Sequence, residues 1–216
     1  MFPPGAASLV MASNLNSSFR AAVSTGDFLS SRFTIDGVAI SAAAISGVVS
    51  SIAYFLPQEF YYIEPADRAY VCAEVTAFFI YFLSKLGCKK LNPPNSKTLS
   101  GLGMHRIEWM KAADGWGIPI WPTRLKNGLP VPAEAHDARR VRATIVGGRI
   151  VEPNTPDRLC DYLRALSREF SMPYLCAEFA SPREAEYLLA DLWSVPDLTV
   201  PANRDAIVRF MQASPA

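Results

Sequence analysis

The chain has 216 residues, enough to bury a sizeable core in one or two small domains. Half of its residues are hydrophobic and 19% are charged, which excludes a disordered chain. A net charge of +1 offers no broad basic field to nucleic acid and no strong charge to a membrane surface, so neither partner is expected.

Residues 1–26 are small and polar and read as an N-terminal extension, with a short helical stretch over Asn14 to Val23. Arg32 to Ile35 predicts a strand and Asp36-Gly37 a turn. Gly37 to Leu56 carries no charge and is long enough to span a bilayer. Ala, Ser and Gly dominate that run, however, and its second half, Val48 to Phe55, reads as a buried strand closed by Pro57. No basic segment precedes an apolar stretch at the N-terminus, so no signal peptide is expected. Cys72, Cys88, Cys160 and Cys176 form no C-x-x-C pair, and only two histidines exist. That pattern speaks against zinc and for buried thiols in a reducing compartment, so the expected localisation is cytoplasmic.

Arg68 to Leu86 is apolar on nearly every side and predicts a long, buried helix. Asp67 can cap its start, Lys85, Lys89 and Lys90 suit its C-terminal end, and Gly87 suits the residue just past it. Asn92-Pro93-Pro94 cannot continue a helix. A second helix is expected over Met104 to Gly115, with Ile107, Met110 and Ala113 on one face. A proline-rich connection follows at 119–132, then a polar stretch at 133–140. Gly147-Gly148 between β-branched runs predicts a hairpin over Ala143 to Val151. Thr155-Pro156-Asp157 reads as a helix start, and Leu159, Tyr162, Leu163, Leu166 and Phe170 as its apolar stripe. Tyr174 to Phe179 and Glu186 to Trp193 predict two strands joined by Ser181-Pro182-Arg183-Glu184. Asn203 can cap a last helix through Ala206, Ile207, Phe210 and Met211.

Three runs, Asn92-Pro93-Pro94, Met104-His105-Arg106-Ile107-Glu108-Trp109 and Gly117-Ile118-Pro119-Ile120-Trp121-Pro122-Thr123, resemble the start of the ATP-grasp fold in RimK-like ligases and peptide-modifying ATP-grasp enzymes. There a basic residue starts a helix and a Gly…Pro-x-Thr run ends it. Val141 to Val151 resembles the late hairpin of that fold. Arg32 to Phe55, the helix containing Glu74, and Asn92 resemble its smaller N-terminal domain. Residues 124–140 stand where the family carries a nucleotide-covering subdomain. The resemblance implies a two-lobed α/β protein, a degenerate relative that lacks the lid. Its parts are a pre-ATP-grasp-like domain at 27–123, a linker at 124–140 and a truncated ATP-grasp C-terminal subdomain at 141–216.

The resemblance also implies site residues. Counting back from Gly117 places a family nucleotide-binding lysine on Arg106, and Arg142 matches an arginine that faces phosphate or the acyl-phosphate intermediate. An arginine at a developing phosphoryl charge is chemically sensible. The family's metal ligands, an Asp on one late strand and a Glu-x-Asn on the next, fall on Glu178, Asp191 and Trp193. Glu178 and Asp191 can offer hard oxygens to Mg²⁺. Trp193 cannot ligate, and is expected to fill the former metal pocket as a packing residue. Each position also has a plainer reading. Arg106 reads equally as a solvated helix residue, Arg142 as part of a basic surface with Arg139, Arg140 and Arg149, and the carboxylates as exposed strand residues.

No phosphate-cradling Gly-rich loop or Gly-x-Ser-x-Gly elbow is present, and His105 and His136 lie in unrelated contexts, so no catalytic residue is assigned. The cofactor stays open, with residual ATP and Mg²⁺ binding not favoured. The expectation is a non-catalytic binding or scaffold partner related to carboxylate–amine peptide ligases. The alternative is a minimal ATP-dependent carboxylate–amine ligase whose nucleotide site another subunit completes. A shortened sheet must cover its edges, which favours a homo-oligomer or a protein or peptide partner.

Overall fold

A computed structural model describes residues 20–22, 28–35, 38–126, 129–132 and 138–213. The chain divides into two compact units, Met1–Val48 with Tyr54–Lys89, and Val49–Ala53 with Lys90–Ala216. Both strands and helices contribute, and the fold is α/β. The turn expected at Asp36-Gly37 and the histidine at 136 lie outside the described residues.

The first unit joins a small antiparallel sheet to one long helix. Its strands are β1 (Arg20–Ala22), β2 (Arg32–Ile35) and β3 (Val38–Ser41), with β2 in the middle. Residues 20–22 are therefore strand, paired with 32–34, and not part of the helix expected over Asn14 to Val23. Helix α1 (Arg68–Lys85) buries Cys72, Phe79 and Phe82. Phe33 of β2 meets Phe82 with ring centroids 4.4 Å apart. Tyr70 and Tyr81 of the same helix are exposed, so α1 buries one stripe rather than its whole circumference. Asp67 stands at the helix start without a side-chain capping bond. Arg68 anchors this end instead, donating from Nε to the Ile63 carbonyl at 2.8 Å and from Nη2 to the Tyr61 carbonyl at 2.9 Å. At the other end the helix leaves through an extended Leu86, and Gly87 is not a left-handed residue.

The strand expected over Val48 to Phe55 shrinks to β4 (Gly47–Val48). Ser50 Oγ donates to the Ile52 carbonyl at 2.9 Å, a local bond that competes with a ladder. Ala53 accepts one backbone bond, from Leu99 N at 2.7 Å. After the two-residue strand β5 (Lys89–Lys90) the second unit begins its main run.

The second unit is built on a four-stranded antiparallel sheet in the order β11-β10-β8-β9. The strands are β8 (Arg139–Val146), β9 (Arg149–Ile150), β10 (Tyr174–Ser181) and β11 (Leu188–Trp193). Gly147 and Gly148, both left-handed, close the expected β8–β9 hairpin. Gly147 is also held by packing, since a Cβ there would stand 2.4 Å from Phe210 Cδ2. Upstream, β6 (Thr123–Lys126) and β7 (Leu129–Pro132) pair as an antiparallel ribbon, where the sequence reading has only a connection and linker.

Strand alternation splits the sheet between two cores. Ala143, Ile145, Leu175, Ala177, Phe179, Leu189 and Leu192 face α2 (Arg106–Gly115) and α3 (Asp157–Glu169), which contribute Trp109, Ala113, Leu159, Leu163 and Leu166. Ile107 is exposed, so the buried side of α2 runs along Trp109 and Ala113 rather than through Ile107. Val146, Tyr174 and Cys176 face the other way, against Leu91 and against Ile207 of α4 (Pro201–Gln212). Two expected caps differ. Thr155 Oγ1 donates backward to the Glu152 carbonyl at 2.9 Å and does not cap α3. Asn203 lies buried inside the first turn of α4, and Val200 holds the cap position.

Asn92 ties the loop after β5 to this sheet. Its side chain donates to the carbonyls of Tyr174 at 2.9 Å and Ser194 at 2.7 Å, and accepts from Tyr174 N at 2.9 Å. All three partners are backbone groups that would otherwise be buried unpaired. Asn92→Ala is therefore expected to destabilise the fold by about 3 kcal/mol, the upper end of the cost of an orphaned buried polar group. Urea unfolding with an unchanged midpoint would contradict this.

Tyr174 gives a second check. Burial, first, pushes its phenol up from 10.0 to about 12, opposed by the Asp197 N–H it accepts at 3.3 Å. A raised folded value means that the neutral phenol stabilises the fold fully below 10.0, and that this contribution is lost as pH rises through about 12. Tyr174→Phe is expected to flatten the fall in unfolding midpoint across that window. An equally steep fall in the variant would contradict the assignment.

Candidate functional site

The register of β10 assembles the site. Glu178 pairs with Arg142 of β8 on one side and with Asp191 of β11 on the other, so the three side chains form one row on one face of the sheet. Beyond Asp191 the β11 register slips, and Phe179 pairs with Leu189. Ala190 is the extra residue of this β-bulge, and its carbonyl leaves the ladder.

Arg106 takes that carbonyl. It opens α2, where Glu108 Oε2 accepts from His105 N at 2.8 Å and holds the exposed His105 at the cap position. The Arg106 Nη2 donates to the Ala190 carbonyl, and Nη1 lies 3.3 Å from Asp191 Oδ1. Its guanidinium carbon stands 4.9 Å from the centre of the Trp109 ring one turn along the helix. The side chain is only 9% exposed. Burial pushes its pKa down and Asp191 pushes it back up, but a guanidinium keeps its charge in any protein setting. Arg106 is thus not a solvated helix residue.

The far end of α2 aims the chain at the same strand. Ile118 N donates to the Ala113 carbonyl at 3.0 Å and Gly117 N to the Asp114 carbonyl at 2.8 Å, with Gly117 left-handed. This is a Schellman ending, which needs a glycine at that position. It delivers Pro119–Trp121 to the edge of β11. There Leu189 N donates to the Pro119 carbonyl at 2.8 Å, and Trp121 N donates to the Leu189 carbonyl at 2.9 Å.

Glu178 is held by Arg140, whose Nη1 donates to Oε1 at 2.9 Å and whose guanidinium lies 5.8 Å from the Trp121 ring centre. Arg142 is exposed and stacks on Trp193 at 5.5 Å. Trp193 pairs with Cys176 and so lies on the face that carries Asp191. It is half-buried beside Leu91, Tyr174 and Ile207, rather than fully enclosed in a former metal pocket. Glu152 is a carboxylate that the sequence did not point to. It accepts from Thr144 N at 2.7 Å and Thr144 Oγ1 at 2.8 Å, beside the short strand β9.

As arranged, these residues do not fit a divalent cation. Each carboxylate of the row already carries a guanidinium, and Trp193 has no oxygen to offer. Among the described residues, no three His, Cys, Asp or Glu side chains gather around one point. No helix among them is long and apolar enough to cross a membrane.

No protein-family model matches the sequence, and no curated protein sequence matches it. Solved structures do. The sheet and its packed helices form a fold that solved ATP-grasp ligases share. It is similar to the macrocyclase MdnC bound with precursor peptide MdnA from Microcystis aeruginosa MRC, with a TM-score of 0.72 and 12% identity over 93% of this chain and 89% of that one. The macrocyclase MdnB of the same organism gives 0.65 and 13%, over 94% and 89%. A RiPP-associated ATP-grasp ligase of Chryseobacterium gregarium, in complex with ADP and a leader and core peptide, gives 0.64 and 11%, over 93% and 85%. The chain is a structural relative of peptide-modifying ATP-grasp ligases, and at these identities the likeness is one of fold.

Half-burial sets the expected effect of removing the indole. Trp193→Ala should destabilise the fold measurably, but by less than the about 3–5 kcal/mol of a fully buried aromatic. Thermal unfolding with an unchanged midpoint would leave Trp193 without a packing role.

Proposed function

We propose that this chain is a non-catalytic, ATP-grasp-derived protein that acts as a binding or scaffold partner for a peptide or protein. One observation carries the reading: the chain's own arginines occupy both carboxylates that the resemblance would assign to a metal, Arg106 on Asp191 and Arg140 on Glu178. A carboxylate already neutralised at such distances has little left for a cation-bridged triphosphate. In this reading, residues 124–140, including part of the β6–β7 ribbon, stand in for the nucleotide-covering subdomain, between a pre-ATP-grasp-like part at 27–123 and a C-terminal part at 141–216. The peptides bound in the MdnC and Chryseobacterium gregarium structures support a peptide as the partner. Self-association is the other way to cover the sheet, though Pro119–Trp121 already pairs with the β11 edge at Leu189. Four cysteines with no C-x-x-C pair suit a reducing cytoplasm.

A second reading, the minimal carboxylate–amine ligase completed by another subunit, draws on two facts. Arg142, Glu178 and Asp191 still share one row, and Arg106 Nε is buried without an acceptor among the described residues. In this reading an incoming phosphate meets that donor and releases Asp191.

Calorimetric titration of the full chain with ATP·Mg²⁺ separates the two. No binding in the micromolar range is expected. Micromolar, magnesium-dependent affinity would overturn the non-catalytic reading in favour of the ligase.

A further inference from the structure

The row disagrees with a metal site in carrying its own cations. We infer that Arg106 and Arg140 are built-in cations that replace divalent metal at Asp191 and Glu178, and that they keep such ions out. The inference deepens the non-catalytic reading and shares its starting observation.

The geometry of Arg106 is that of a committed charge. Its guanidinium is fixed on three sides, by the Asp191 carboxylate, the bulged Ala190 carbonyl and the Trp109 ring. Its side chain is nine-tenths buried, so leaving Asp191 means giving up its packed position as well as its counter-charge. The bulge matters because it turns a carbonyl out of the ladder at the one place where Arg106 can use it. Arg140 neutralises Glu178 from a more exposed position, with Trp121 beside it. Arg142, on the adjacent pair, adds a third positive charge on the same face.

A divalent cation entering this row would meet these charges within contact distance. It would have to expel Arg106 from its buried position or else leave that cation without its counter-charge, the costly way to break a buried pair. The arginines therefore perform the charge neutralisation that a metal performs in a site of oxygens alone. Removing both guanidiniums while keeping both carboxylates should turn the row into a weak divalent site, since two carboxylates directly opposite each other on neighbouring strands are a usable hard-oxygen pair.

The test is Mn²⁺ binding to the full chain, read from the electron paramagnetic resonance signal of free Mn²⁺. Unaltered protein should bind none in the low millimolar range. Arg106→Met with Arg140→Gln should bind with Kd of about a millimolar, the range of weak carboxylate sites, and adding Asp191→Asn should abolish it. Two results overturn the inference: Mn²⁺ binding by the unaltered chain as tight as by the double variant, or a folded double variant that binds none. If the double variant does not fold, the decision passes to a double-mutant cycle of Arg106→Met and Asp191→Leu, read from unfolding midpoints. Additive effects there overturn the inference, and a clear coupling supports it. Failure on Mn²⁺ leaves the non-catalytic reading standing, because that reading falls only if the unaltered chain binds ATP·Mg²⁺.

Discussion

Strand β10 is hydrogen-bonded on both sides, to β8 from Tyr174 to Ser181 and to β11 from Cys176 to Ala180, and this double pairing positions every charge in the site. A slip of one residue would send Glu178 into the apolar core beneath α3 and bring Phe179 out. The cost of that exchange is what holds the register. It also explains why a polar row survives on a strand that is otherwise almost wholly buried. Leu175, Ala177 and Phe179 secure one face, Tyr174 and Cys176 secure half of the other, and only the end near Glu178 is left for charge.

Helix α2 depends on that strand arrangement at both of its ends. Its first residue reaches the bulged carbonyl of β11, and the turn at Gly117 returns the chain to the same strand at Leu189. The helix is thereby clipped over β11 by polar contacts at its ends and by Trp109 and Ala113 between them. Exposed ion pairs contribute about 0–1 kcal/mol each, so the Arg140–Glu178 pair adds little to stability. Arg106 differs because burial removes its solvent alternative. Its value lies in where it holds charge, more than in how much it stabilises.

The two sides of the sheet have separate tasks. One carries the larger core, with α2 and α3 interleaved on Ile145, Leu175 and Leu189. The other is shared between α4 and the charged row, with Trp193 at the border, apolar toward Ile207 and cation-bearing toward Arg142. A half-buried tryptophan suits that border because its ring packs on either kind of neighbour.

The local pattern in the sequence determined much of the second unit. The stripe of α3, the Gly147-Gly148 hairpin and the order hairpin–helix–hairpin–helix all follow from periods of 3.6 and 2 and from turn residues, whereas the shared face of Glu178 and Asp191 depends on the bulge at Ala190. The Asn127-Gly128 pair between β6 and β7 was an equally good hairpin signal, obscured by the flanking prolines. Likewise, alternation put Arg140 and Arg142 on one side of β8, which could have singled out Arg140 as a partner for a carboxylate. Other features had no local signal. Whether Val48 to Phe55 runs as a strand depends on a neighbour to pair with, and it has almost none. How much of α1 is covered depends on the size of the sheet beneath it. The contact of Arg106 with Ala190 and Asp191 joins positions far apart in the chain through a bulge that no spacing announces. The sequence by itself determined which charged residues were available along each strand. Only the tertiary structure decided that they pair with one another, because guanidinium and carboxylate meet through register, bulge and helix placement together.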